Sequence, residues 1–385
     1  MSTIQLHFLT PYSASCLVRG QDGRPKSMRF GGTERGRISS ASLKRAIRTS
    51  DIFTEEFTDR MGVRTARMGE MIVDKIVESG VEREKAEKAV RVLISGEGDV
   101  KKKKGKVEAK VKLDKPDEDG QDESGETGET DSIKEGARLF KLKGDGVRSE
   151  QLVFVSHDEV AAAVAVARRI AAGDTVSKKE VRAIVGRTTT AVDVAMFGRM
   201  MADRSDLRMI SAVDMAHPFT VGRAATEADF YVAADDMKPV EEDVGASFLG
   251  EQGFNAGLFY GYLRIDMAQL VHNLGGDEGT ARQATVALIR AALTVSPSGK
   301  RSSFGSHANA TWAMIERGRS ASRSLAGAFM APVQGDDEHA EAVRRAEMLA
   351  KNMRAAYGED FKSESMNVLT GAGSLAKILS LVEQG

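Results

Sequence analysis

Residues 97–131 set the first limit on what this chain can fold into. The stretch "DVKKKKGKVEAKVKLDK" is strongly basic, and "PDEDGQDESGETGETD" after it carries eight acidic residues and no basic one. A segment so poor in apolar side chains cannot bury enough surface to offset its ordering entropy. The core must therefore be assembled from residues on both sides of an interruption. The segment reads as a solvated loop, with its basic half as a candidate for nucleic-acid contact. A chain of 385 residues accommodates two or three domains, or one domain with large insertions.

Around this interruption the apolar pattern alternates between two periods. "TIQLHFLT" places Ile4, Leu6 and Phe8 at every second position, as in a half-buried strand, and Pro11 is expected to end it. "SSASLKRAIRTS" reads as a helix with Ser39 or Ser40 at its N-cap. Residues 51–96 read as helical with a break at Gly80, and "SKKEVRAIVGRTTTAVDVAMFGRMMA" as one further helix. The run from Leu207 to Met237 reads as two extended arms around a turn-rich middle. "GEQGFNAGLFYGYLRIDMAQLVHNLGG" reads as a strand entering a helix that Gly275–Gly276 stops, and helices over 282–295 and 337–358 flank a strand near Trp312. Strands are scattered among helices without regular βαβ spacing, so the expected class is α+β around an antiparallel sheet.

Several chemistries fail on the residues. One cysteine, Cys16, excludes an internal disulfide and a four-cysteine zinc site. The six histidines form no HExxH and no i,i+4 pair, so they read as structural or surface residues, and neither metal nor cofactor is expected. "PSGKRSS" resembles the end of a phosphate loop, but the first glycine of that motif would fall on Thr294. Asp235–Asp236 as strand neighbours would point to opposite faces and could not easily chelate one ion, so they read as a strand-end turn. The N-terminus shows neither the basic region nor the apolar run of a signal peptide, and no window is long and apolar enough to span a membrane. A cytoplasmic, soluble protein is expected.

Charge is distributed unevenly. Residues 1–50 hold nine Lys/Arg against two acids, net +7, so the remaining residues sum to −8 against a total of −1. Within this basic segment, "MRFGGTERGRISSASLKRAIRTS" (28–50) combines two glycines, two serines and a short basic helix. A helix N-terminus offers unpaired N–H groups and partial positive charge to phosphates. Ser39 and Ser40 add hydroxyls; Lys44, Arg45 and Arg48 line one flank; and Arg19, Arg24, Lys26, Arg29, Arg35 and Arg37 precede them. Gly31 and Gly32 would let a backbone or ligand approach closely. A row of such groups suits a polyanion gripped by its backbone with little sequence preference. A capped surface helix with solvated cations satisfies the same residues equally well.

The run Ser15–Cys16–Leu17–Val18–Arg19, then Phe30–Gly31–Gly32 and "RISSASLKRAIR" (37–48), resembles the Cas7 (CasC/Cse4) backbone subunit of type I-E CRISPR Cascade. The resemblance continues through "VDVAMFGRM" (192–200), "AVDMAH" (212–217), "YVAADD" (231–236) and residues 245–276, including the strand Gly257–Tyr262. It implies an RRM-like (ferredoxin-like) palm over 1–50, 185–202 and 238–385, a helical fingers insertion over 51–184, and an extended thumb over 203–237. It implies contacts to CRISPR RNA (crRNA) from Arg19, Lys26, Arg37, Ser39, Ser40, Lys44 and Arg48. Met200 would pack on a displaced base, and Phe219 and Thr220 would lie where the thumb crosses the RNA. The implied partners are further copies of the chain head to tail, the Cas5, Cas6, large and small subunits, and target DNA through the guide.

The sequence departs from the family at Ala41, where some relatives carry Gln, at Thr33–Glu34, and in the charged 97–131 segment. The implied function is non-catalytic: a multi-subunit ribonucleoprotein for antiviral defence. An RNA endonuclease of the same wider group is the alternative, and a general single-strand RNA binder a third.

Overall fold

The computed structural model describes residues 3–96, 139–201, 207–233 and 248–383. The chain divides into two compact units, one of Met1–Gly62, Thr188–Arg199 and Met209–Gly385, the other of Val63–Arg187 and Met200–Arg208. The first unit opens with β1 (Thr3–Ser15), β2 (Ser27–Phe30), β3 (Thr33–Gly36), α1 (Ser40–Arg48) and α2 (Asp51–Glu56). The second supplies β4 (Val63–Thr65), α3 (Met68–Val77), α4 (Arg83–Ser95), β5 (Val153–Val155), α5 (His157–Ala172) and α6 (Lys178–Ala183). The first resumes with α7 (Val192–Phe197), β6 (Val213–Met215), β7 (Phe219–Thr220), β8 (Glu227–Ala233), β9 (Phe248–Asp266), α8 (Met267–Asn273) and α9 (Glu278–Thr294). It closes with α10 (Arg301–Phe304), β10 (Trp312–Gly318), α11 (Glu338–Tyr357), β11 (Phe361–Asn367) and α12 (Leu375–Glu383).

The first unit is built on an antiparallel sheet in the order β11-β10-β1-β9-β6, with β7 and β8 also pairing along β9. The class is therefore α+β, as the scattered strands suggested. Strand side chains alternate between faces. Ile4, Leu6 and Phe8 of β1, Leu263 and Ile265 of β9, and Ala313 and Ile315 of β10 join one core with residues of α1, α9 and α12. The intervening positions Leu9, Leu258, Tyr260, Trp312 and Met314 form a second core with α11.

β1 is thus buried on both faces, not on one. Its polar members Gln5 and His7 are buried in a cluster around Glu316, which also pairs with Arg323 and Arg354. Pro11 does not end the strand. Beyond Leu9 the strand pairs with β9 alone, so at Pro11 one side is a free edge where a missing N–H costs nothing.

In the second unit α3 to α6 and the β4–β5 pair enclose their own core, which includes Ile72, Val90, Leu93, Val155 and Val164. The expected single helix over 177–202 is two, α6 and α7, because the chain leaves one unit for the other between them. α5 and α6 each start with a reciprocal capping box, Ser156 with Glu159 and Ser177 with Glu180. Short strand β4 falls in the region read as all helical. The charged 97–131 segment lies outside the described residues. Its flanks meet: Leu139 N–H donates to the Ile94 carbonyl at 2.8 Å.

Candidate nucleic-acid interface

α1 forms where the sequence places it, with Ser39 at the N-cap. Leu43 and Ile47, four residues apart, are buried in the first core. Burying them contributes about 1.5–3 kcal/mol each. That rotation sets Ser40, Lys44 and Arg48 in a row along one flank. Ser39 makes no side-chain cap bond. The first N–H of the helix, Ser40, donates instead to His217 Nδ1 at 2.8 Å.

The preceding loop is laid against α1 by backbone bonds. Arg19 bridges to Pro25, and Lys26 N–H donates to the Val18 carbonyl at 2.9 Å. Arg37 N–H donates to the Lys26 carbonyl at 2.8 Å, and Arg37 bridges in turn to Phe219. Three extended segments side by side therefore each contribute one cation: Arg19, Lys26 and Arg37. Arg19 is exposed, and Lys26 and Arg37 are partly so. The Arg37 Nε is buried with no partner among the described residues.

Other expected contacts have internal duties. Arg48 Nε donates to Asp193 at 2.8 Å, and the Asp193 side chain is fully buried. Asp193 also accepts from the N–H groups of Gly62 and Val194. Burial pushes the Asp193 carboxyl up from its ordinary value, and the Arg48 charge is the strongest pull back down. Lys44 is half-buried with its Nζ 5.3 Å from the centre of the Phe197 ring; burial lowers its pKa, opposed by Asp214. Phe219 and Thr220 are buried. Phe219 packs among Phe30, Tyr260 and Phe329, and Thr220 Oγ1 accepts from Gly36 N–H and donates to the Gly222 carbonyl. Neither side chain is open to a ligand, because β7 pairs into the sheet along β9.

Arg35, counted among the cations, is wholly internal. Its guanidinium donates to the carbonyls of Thr220, Val221, Gly222 and Phe329. Gly31 and Gly32 close the β2–β3 hairpin with φ of +59° and +76°, the left-handed backbone a two-residue loop requires. The close neighbour at Gly31 is backbone: a Cβ there would lie 1.7 Å from the Met330 carbonyl oxygen. Met200 belongs to the second unit, where it is 80% exposed beside Leu152, itself 57% exposed. Asp235–Asp236 lie outside the described residues.

One basic element escaped the sequence reading. In the rejected "PSGKRSS" motif, Gly299 packs on the carbonyls of Cys16 and Leu17, where a Cβ would come within 2.2 Å of Leu17 O. Lys300 adopts a left-handed φ of +48°, and its charge and that of Arg19 both act on the Cys16 thiol. The motif thus adds Lys300 beside the Arg19 loop, and its glycine–lysine pair was the signal. Among the described residues no group of three or more His, Cys, Asp or Glu could hold a metal ion. No described helix is long and apolar enough to cross a membrane.

The family model described as "CT1975-like protein" matches residues 4–380. One solved chain, from a "CRISPR RNA-guided surveillance complex, pre-nicking", is 25% identical with a TM-score of 0.78, and the match covers 99% of each chain. Another, from a "CRISPR RNA-guided surveillance complex", is 22% identical with a TM-score of 0.69 over 100% of each chain, a likeness of fold. Among curated proteins, no sequence matches the chain.

Proposed function

We infer the function from one premise: this chain belongs to the CT1975-like protein family. We propose from it that the protein is a Cas7-type subunit that binds crRNA inside a multi-subunit surveillance complex. The solved chain that it resembles across 99% of its length comes from such a complex. The finer reading is a non-catalytic backbone subunit of a type I-E Cascade, with an RRM-like palm, helical fingers and a thumb. Copies would polymerise head to tail along the guide and present it to target DNA beside Cas5, Cas6 and the large and small subunits, in the cytoplasm.

One observation carries this reading for the chain's own residues. Backbone bonds align Arg19, Lys26 and Arg37 on adjacent segments that lead to the N-terminus of α1, where Ser39 and Ser40 sit above Lys44. Donors and cations in a row grip successive phosphates without reading bases. A head-to-tail contact whose rotation does not close generates an open filament, as coating a guide requires. Arg48 supports this surface from beneath through Asp193, and Phe219 and Thr220 brace it from the sheet.

The test is co-expression with the neighbouring CRISPR genes and a repeat–spacer array, followed by size exclusion and a denaturing gel of the extracted nucleic acid. A single discrete CRISPR-derived RNA in a large particle is expected. Mixed cellular RNA would point to general binding. Metal-dependent cleavage of added strands would support the endonuclease instead.

A further inference from the structure

We propose that His217 is a further RNA-contacting residue, whose imidazole braces α1 through Nδ1 and donates Nε2–H to a phosphate or ribose oxygen. This deepens the crRNA-binding reading and rests on it.

The donor fixes the tautomer. A backbone amide has only a proton to give, so Nδ1, which receives Ser40 N–H at 2.8 Å, must present its lone pair. A neutral imidazole then carries its proton on Nε2. His217 is exposed, and its Nε2 has no partner among the described residues.

The next three residues of the chain hold the ring in place. Pro218 fixes its own φ, and its carbonyl accepts Ile38 N–H at 2.8 Å. Phe219 bridges to Arg37, and Phe219 and Thr220 are buried. The imidazole is therefore pinned beside Ser39, Ser40 and Arg37 from both its ring and its backbone. An N-cap serine ordinarily accepts a helix N–H with its own hydroxyl. Here Ser39 makes no such bond, so its Oγ is left to a ligand, while the imidazole takes the Ser40 N–H, a donor the cap side chain does not serve. A neutral donor among helix amides and cations matches an anionic oxygen or a 2′-hydroxyl, groups present at every nucleotide.

The experiment measures binding of the full-length protein to a fluorescein-labelled single-stranded oligouridylate by anisotropy, with thermal melting in parallel. His217→Asn keeps an acceptor at the Nδ1 position and places nothing at Nε2. It is expected to melt like wild type while losing affinity roughly tenfold, the effect of one hydrogen bond to a charged oxygen. His217→Gln reaches the Nε2 position without capping α1. It is expected to melt lower yet bind more tightly than His217→Asn. Wild-type affinity in His217→Asn would reduce His217 to a helix cap and overturn the proposal. Lys44→Ala separates the two levels: if it too binds like wild type, the interface reading itself fails and this inference falls with it.

Discussion

Replacing Arg48 with alanine should damage the fold before it damages RNA binding. The Asp193 side chain is fully buried and that of Arg48 is 16% exposed, so the pair is screened little by solvent. Removing one partner of a buried ion pair costs about 3–5 kcal/mol, because the other charge is left uncompensated. Asp193 keeps its two backbone donors, from Gly62 at 2.7 Å and Val194 at 3.0 Å. We therefore expect the low end, about 3 kcal/mol.

The pH dependence gives the reasoning a second handle. Burial raises the Asp193 carboxyl above its unfolded value of 3.8, and Arg48 is the largest influence opposing that rise. Without Arg48 the folded value climbs further. A folded carboxyl with a raised pKa binds its proton more tightly than the unfolded one, so stability falls as pH rises through the window between the two values. The variant should thus recover part of its deficit as pH falls towards 4. Thermal scans of both proteins at neutral and acid pH read this directly, and acid effects common to both cancel in the difference. Equal melting at neutral pH, or a gap that widens in acid, would refute the argument. An RNA-binding defect in an Arg48 variant consequently says little about phosphate contact unless melting is shown beside it.

Four further outcomes are expected. Lys44→Ala should weaken single-strand RNA binding and lower the salt slope by about one phosphate contact, while melting changes by no more than the roughly 1–2 kcal/mol of a partly buried cation–π pair; an unchanged salt dependence counts against Lys44 as a contact. Glu316→Gln should destabilise by about 3–5 kcal/mol at neutral pH. Burial raises the Glu316 pKa, but hydrogen bonds from His7, Arg323 and Arg354 outweigh it and hold the carboxyl well below the ordinary 4.5, so this stabilisation is present above pH 4.5 and is lost as pH falls below it. The midpoint of acid unfolding should accordingly rise in the variant. Gly31→Ala should cost about 2 kcal/mol or more, since the left-handed φ is compounded by a Cβ 1.7 Å from the Met330 carbonyl oxygen; Gly32→Ala, with no atom within 4 Å, bears only the backbone strain and should melt higher than Gly31→Ala. Replacing residues 97–131 with a short Gly/Ser link should leave melting intact or slightly raised, because Ile94 and Leu139 are already joined and each halving of a loop saves roughly 0.6 kcal/mol of closure entropy.

The local sequence was enough to locate α1, its N-cap to Ser39 or Ser40, the buried stripe of β1, the stop after α8 at Gly275–Gly276, and the concentration of positive charge in the first fifty residues. Each of these depends on neighbours within a few positions: a capping residue, a period of two, a glycine free to turn left. What became of the individual cations was decided elsewhere. Arg48 meets a carboxylate 145 positions away, and Arg35 meets carbonyls 185 to 294 positions away. Gln5 and His7, the polar neighbours in a strand that read as half-buried, are buried because α11 covers the second face of the sheet and Glu316 arrives there from β10. Periodicity states which face a side chain takes, and composition states its charge. Which group waits across that face depends on strand order, so only the assembled sheet separates the cations left open to a ligand from those that hold the fold together.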